Sequence, residues 1–227
     1  METDDATLVR SEAGSSPGHA GRILVIACGA LAREILELIE RNEWAHVELR
    51  CLPAKLHLRP ELITDAVASA VLEGGGSYDE IFVAYADCGT GGLLEKRCRE
   101  LGVTMIAGPH CYSFFEGNDA FLERAEDEMS TFYLTDFLVR QFDAFVWKPL
   151  GLDRHPELRD QYFGNYKKLV YQSQKEDADL QAKARDCAMR LDLVYEYRFT
   201  GFGDLENSLS EFVTRTQSLT RPKLANS

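Results

Sequence analysis

The stretch Arg22-Ile-Leu-Val-Ile-Ala27 is a short, unbroken apolar run rich in β-branched residues, ended by Cys28-Gly29 and followed at once by a helical pattern. A strand that is apolar at every position has both faces buried, which in practice means a parallel sheet covered by helices. The chain then repeats the figure. Ala30 to Asn42 carries Leu31, Ile35, Leu38 and Ile39 at helical spacing, and residues 46 to 52 alternate as a second strand that Pro53 breaks. Pro60 opens a helix to about residue 73, Ile81 to Ala86 is a third strand, a helix runs to about residue 101, and Val103 to Ala107 is a fourth strand. Four strands alternating with helices predict an α/β fold, a Rossmann-like, mainly parallel sheet with helices on both faces.

The second half reads differently. Glu116 to Glu126, Thr135 to Phe145, and Pro156 to about Leu191 are mostly helical in pattern, Leu191 to Thr200 is a late strand, and Leu205 to Thr216 is a last helix. This is a helical C-terminal extension in which the aromatic set Phe132, Tyr133, Phe137, Phe142, Phe145 and Trp147 serves core packing or a dimer face. The expected organisation is a disordered tail over residues 1–21, a single α/β domain over 22–216, and a polar tail over 217–227. A chain of 227 residues buries enough core to fold without staples.

Charge excludes some partners. With 25 Lys and Arg against 37 Asp and Glu, the net charge of −12 argues against nucleic acid and against anionic membranes. No apolar run approaches the length of a spanning helix, and the acidic N-terminus lacks the features of a secretory signal, so a cytoplasmic location is expected. In a reducing compartment the six cysteines do not form structural disulfides. Each is then a core residue, a metal ligand or a reactive thiol.

Position in the pattern sorts them. Cys51 lies inside a strand and Cys98 and Cys187 inside helices, which suits small buried hydrophobes. Cys28 ends the first strand, Cys88 the third, and His110-Cys111 follows the fourth, while His57 lies in the loop after the second. Parallel sheets bind ligands beyond the carboxyl ends of their strands, so these groups share one rim.

Three chemistries fit that rim. Thiolates and imidazole are the preferred ligands of zinc, and thiolates of iron–sulfur clusters, so Cys28, Cys88 and Cys111 with His57 or His110 form a candidate metal set. Alternatively Cys28 and Cys88, each just before a helix whose dipole lowers a thiol pKa, act as the acid and base of a metal-free isomerase or lyase. Finally, Gly89-Thr90-Gly91-Gly92 opens a helix and offers backbone N–H groups to an anion, with Arg59 as a second holder of negative charge. Asp87 is either a general base, a partner that orients a histidine, or a helix-capping residue.

Four segments together resemble the DUF1638 family: Ala27-Cys28-Gly29, Leu56-His57-Leu58-Arg59-Pro60-Glu61, Tyr85-Ala86-Asp87-Cys88-Gly89-Thr90-Gly91, and Gly108-Pro109-His110-Cys111. Ser130 to Thr135 continues the likeness, which covers roughly residues 22 to 205. The family's fourth segment usually carries an Asp between the His and the Cys, where His110 and Cys111 are adjacent in this chain. The resemblance implies the cysteine and histidine positions and names no reaction. It also suggests a link with corrinoid-dependent methyl transfer, and with it a corrinoid cofactor and a methyltransferase partner.

The expected function is a small-molecule enzyme or cofactor-handling protein built on a zinc or iron–sulfur site, with His57, Asp87 and Cys88 as catalytic candidates. The metal-free thiol enzyme and a non-catalytic accessory protein binding a metal or corrinoid stand beside it. A homo-oligomer is a further expectation.

Overall fold

A computed structural model of the chain describes residues 21–124 and 129–220. The two expected tails fall mostly outside these residues, although the last helix runs on to Thr220, past the expected start of the polar tail. The chain divides into two compact units, residues 1–111 with 205–227 and residues 112–204, where the sequence led to a single domain.

In the first unit, β1 (Ile23–Cys28) is buried at all six positions, as its unbroken apolar run requires. It pairs in parallel with β2 (Val47–Leu52) on one side and β3 (Glu80–Ala84) on the other, and β4 (Thr104–Met105) lies beside β3. The order is β2-β1-β3-β4. The connecting helices are α1 (Ala32–Arg41), α2 (Ile63–Gly74) and α3 (Leu93–Leu101). β2 is added on one side of β1 and β3 and β4 on the other, so the order in which strands are laid across the sheet reverses at β1 and β3. That topological switch point is where an open parallel sheet leaves a crevice at its carboxyl edge.

After α4 (Cys111–Glu116) and α5 (Asn118–Glu123), the second unit carries a parallel sheet of its own. β5 (Thr131–Thr135), β6 (Lys168–Ser173) and β7 (Val194–Phe199) lie in sequence order, with α6 (Asp136–Arg140), α7 (Arg159–Phe163) and α8 (Ala178–Leu191) between them. β5 and β6 correct the expectation of a mostly helical extension. The core here is Leu134, Phe142, Leu169, Tyr171, Leu180 and Leu191, and part of the aromatic set joins it: Phe142 is inside, Phe132 and Trp147 pack against it, and Phe132 meets Phe163 edge-on at 5.1 Å, while Phe137 meets Phe145 edge-on at 5.1 Å. α9 (Gly203–Thr220) returns the chain to the first unit, where Phe212 packs on Phe82 of β3 at 4.9 Å. Among the described residues no helix is long and apolar enough to cross a membrane.

Candidate functional site

All ten residues singled out as site candidates belong to the first unit. The site starts from the ends of β1 and β3. Cys28 closes β1 and turns its sulfur back to accept the N–H of Ala30 at 3.3 Å, capping a single turn of 3-10 helix over Gly29–Leu31. Gly29 allows the neighbouring loop to approach: a Cβ there would stand 3.1 Å from the carbonyl oxygen of Leu52. That closeness brings the loop after β2, and with it His57, against Cys28.

His57 sits in a 3-10 turn over Ala54–Leu58. Its Nδ1 is 3.2 Å from the carbonyl oxygen of Ala54 and 3.5 Å from Cys28 Sγ. A carbonyl only accepts, so the tautomer that satisfies Ala54 carries its proton on Nδ1. Nε2 is then a bare lone pair, and it is buried with no protein partner. Burial lowers the imidazole pKa against the pull of the Ala54 carbonyl, with His110 adding to the lowering, so the ring is neutral at physiological pH.

Tyr85 completes the group. It follows the last residue of β3, is 1% exposed, and its ring lies parallel to that of His57 with centroids 6.3 Å apart. Its buried hydroxyl makes no hydrogen bond of normal geometry, yet lies close enough to the Cys28 sulfur to interact with it. Burial, with the nearby cysteine sulfurs, pushes the phenol far above its ordinary range. The motif rules assign Tyr85 no role, and the one sequence signal for it is an aromatic hydroxyl at the carboxyl end of a buried strand.

Cys88 is held in the left-handed region, at φ 48°. Such a backbone costs a non-glycine residue on the order of 1 kcal/mol. The strain is fixed from outside: the N–H groups of Asp87 and Cys88 donate to the carbonyls of Gly108 and Pro109, both at 3.1 Å. Glycine would suit this position better, so the side chain is what the position keeps. Cys88→Gly is therefore expected to be more stable than Cys88→Ala by about 1 kcal/mol in denaturant unfolding, because only the backbone preference separates the two. Equal stabilities would mean the loop holds no strain.

The thiol pKa expectation is overturned. Burial pushes Cys28 up to about 12, against the Ala30 N–H, with Cys88 and Cys51 adding to the rise and the Tyr85 hydroxyl opposing it. Burial likewise pushes Cys88 up to about 11, against backbone hydrogen bonds from Ala86 and Cys111, while Asp87 raises it. Both are thiols at neutral pH. The helix-dipole argument fails because α1 starts only at Ala32 and α3 at Leu93, too far along the chain for their N-termini to act on these sulfurs.

The remaining candidates fall outside this group in function or in reach. Asp87 is a loop cap: it accepts from Thr90 Oγ1 at 2.8 Å, from the Gly92 N–H at 2.6 Å and from the Gly91 N–H at 3.2 Å. Burial raises its pKa, but those bonds from Gly92, Thr90, Gly91 and Gly89 outweigh it and hold the carboxyl below its usual value. The same bonds correct the anion-cradle expectation, since the chain's own carboxylate takes the loop's amides. Gly89 and Thr90 also line a surface groove of ≈ 640 Å³ with Pro60, Glu61, Lys96 and Arg97, which none of the sulfurs reaches. Arg59 is turned to solvent and paired with Glu61 at 3.0 Å. His110 is half-buried, its pKa lowered by burial and raised by Asp87. Cys111 stands at the start of α4 and meets Cys88 through its backbone N–H. Cys51, Cys98 and Cys187 are buried and all six cysteines are free, as expected of core residues and reduced thiols.

The donor set is that of zinc or of an iron–sulfur cluster, and Cys28 and His57 are in contact. Among the described residues, however, no three His, Cys, Asp or Glu side chains are arranged to hold a metal ion.

Comparisons with curated proteins and with solved structures each found no match. Against protein families, residues 51–209 match a family described as a protein of unknown function, DUF1638. That span takes in His57, the Tyr85–Gly91 segment and Cys111, and covers well over half of the chain. The chain belongs to the DUF1638 family.

Proposed function

We propose that this protein acts on a small molecule, or handles a cofactor, through the cluster of Cys28, His57, Tyr85 and Cys88, charged with zinc or an iron–sulfur cluster. Cys28, Cys88 and Cys111 are the proposed thiolate ligands, with His57 or His110 completing the set. The observation that supports this most is His57: its Nδ1 is committed to the Ala54 carbonyl and its Nε2 is buried without a protein partner. Histidine ligands are oriented in this way, one nitrogen tied to a backbone carbonyl and the other left bare. A bound cation would supply Lewis acidity and would draw the protons off thiols that burial otherwise keeps neutral. The chain's own residues would orient and exclude water: Tyr85 closes the inner wall and Ala54 fixes the imidazole. Free thiols throughout agree with a cytoplasmic location.

Anaerobic purification with elemental analysis and an absorption spectrum tests this. Zinc or iron near one equivalent is expected, falling at least roughly tenfold in affinity for Cys28→Ser and for His57→Ala. Folded protein that carries no metal and takes up none from solution would sink the reading.

A second reading starts from the placement of Cys28 at the end of β1 and of Cys88 just past β3, the neighbouring strand of the same sheet. In it the two are acid and base of a metal-free isomerase or lyase, and substrate binding would have to ionise one of two thiols that burial keeps protonated in the free protein. Retention of activity after exhaustive chelation would favour it.

A further inference from the structure

β7 is an edge strand. Val194 donates its N–H to Lys167 O and Thr200 to Ser173 O, so the even-numbered residues of the strand face β6 with their backbone groups. In a strand the N–H and C=O of one residue point the same way, so Tyr195, Tyr197 and Phe199 direct theirs away from the sheet. Among the described residues no strand pairs with that side. Long apolar edges are templates for another strand, and the ends of this one are apolar and exposed, Val194 at 71% and Phe199 at 55%.

We propose that this edge pairs with the same edge of a second copy, antiparallel and centred on Tyr197, to make a two-fold symmetric dimer with a continuous sheet. The sequence Tyr195-Glu196-Tyr197-Arg198-Phe199 is self-complementary in that register and in no neighbouring one. Centred on Tyr197, the outward-facing residues meet each other: Tyr197 opposite Tyr197, and Tyr195 opposite Phe199. Each is a pair that exchanges two backbone hydrogen bonds. Between them Glu196 stands opposite Arg198 on the same face, in the closer type of cross-strand pair. Centring on Glu196 instead sets two glutamates face to face, and centring on Arg198 sets two arginines. A shift by one residue puts outward backbone groups opposite inward ones.

Local contacts are compatible with this. Glu196 and Arg198 lie on one face with Lys168, at 2.9 Å from Glu196, and Glu116, bound by Arg198 at 2.9 and 3.1 Å. The tyrosines lie on the other, Tyr197 against Tyr171 at 5.8 Å and Tyr195 under Arg185. A two-fold interface of this kind presents the same patch twice, and cross-strand ion pairs between copies extend a charge network already in place.

Sedimentation of the full chain over a wide concentration range, with hydrogen exchange of the β7 amides, tests the proposal. A reversible dimer is expected, and Tyr195, Tyr197 and Phe199 amides should gain protection as concentration rises while Val194 and Glu196 do not change. Tyr197→Pro removes the donor at the dyad without touching a bond to β6, and should weaken association by at least roughly tenfold. Glu196→Arg keeps the backbone bonds to β6, although it gives up the side-chain bond from Lys168, and should reverse the salt response: the native dimer weakens with salt, the variant's residual association strengthens. A chain that stays monomeric, or a dimer that survives both substitutions in folded protein, overturns the proposal. So does protection that fails to follow concentration.

Discussion

Asp136→Ala is expected to cost about 3–5 kcal/mol, enough to unfold the second unit under mild denaturant. Asp136 is 1% exposed and is the hub of a buried polar group. Its Oδ1 accepts from Tyr171 Oη at 2.7 Å and from the Gln174 N–H at 3.1 Å, and its own N–H donates to Gln174 Oε1 at 2.7 Å. Arg140 stands 3.5 Å from the other oxygen. Alanine would leave a fully buried tyrosine hydroxyl and a buried amide without acceptors, and it is that desolvation, more than the lost bonds, that sets the size of the loss. Asp136→Asn keeps an acceptor for both donors, and its cost should stay within about 1 kcal/mol.

The pH dependence separates the two effects. Burial raises the Asp136 carboxyl above its ordinary value of 3.8, against the bonds from Tyr171 and Gln174 and the charge of Arg140, while Asp177 raises it further. A raised acid binds its proton more tightly in the folded state than in the unfolded one. Its contribution to stability is therefore full below the unfolded pKa and is lost as pH rises through the folded value. Stability curves of the native chain and of Asp136→Asn should lie closest below the unfolded pKa, where the carboxyl is protonated in both states, differ in slope across the acid window and run parallel at neutral pH. Superimposable slopes would mean that Asp136 is not the group that titrates there.

This network also explains why half of the fold was hard to read. β1 announces itself because Ile23 to Ala27 is apolar at every position and buried at every position. β6 is buried from Leu169 on, but its carboxyl end and the residue after it read Gln172-Ser173-Gln174, with exposures of 0%, 0% and 3%. Pattern rules count such residues as solvent-facing. Here they are inside because each has a partner: Gln172 donates to Glu116, Ser173 Oγ to Lys175 O, and Gln174 Nε2 to Gln172 O. None of those partners is predictable before the fold is known, so buried polar residues break the period and the pattern predicts helix where the strand lies. The site divides in the same way. The strand-end rule located Cys28 and Cys88, since that depends only on where strands stop. Reach and direction depend on details of a few residues: Arg59 turns outward to Glu61, Asp87 folds back on its own loop, α1 begins at Ala32 rather than Ala30, and α3 begins only at Leu93, five residues past Cys88.

Metal-free, folded protein should alkylate at Cys28 and Cys88 roughly ten- to a hundredfold more slowly at pH 8 than the same cysteines in the denatured chain. The thiolate is the reacting species, and an ordinary cysteine near pKa 8.5 is substantially ionised at that pH. Burial instead holds Cys28 at about 12 and Cys88 at about 11. The smaller thiolate population outweighs the greater nucleophilicity of each high-pKa thiolate, which returns only part of the lost rate. Rates should therefore keep climbing with pH beyond the range where a free cysteine has levelled off, with Cys88 ahead because it is only half-buried while Cys28 is 2% exposed. Folding stability moves the other way: both protons are held more tightly in the native state, so their contribution is full below the unfolded thiol pKa and is lost as pH climbs through 11 and 12. Zinc decides between the two functional readings. If the sulfurs are ligands, adding the ion should protect both cysteines and flatten the pH profile, because coordination replaces the proton as the group on sulfur. If they are a metal-free acid and base, zinc should leave the profile as it was. Rapid modification of Cys28 or Cys88 at neutral pH in the native protein would count against burial as the controlling force, and with it against the need for a cation to ionise this site.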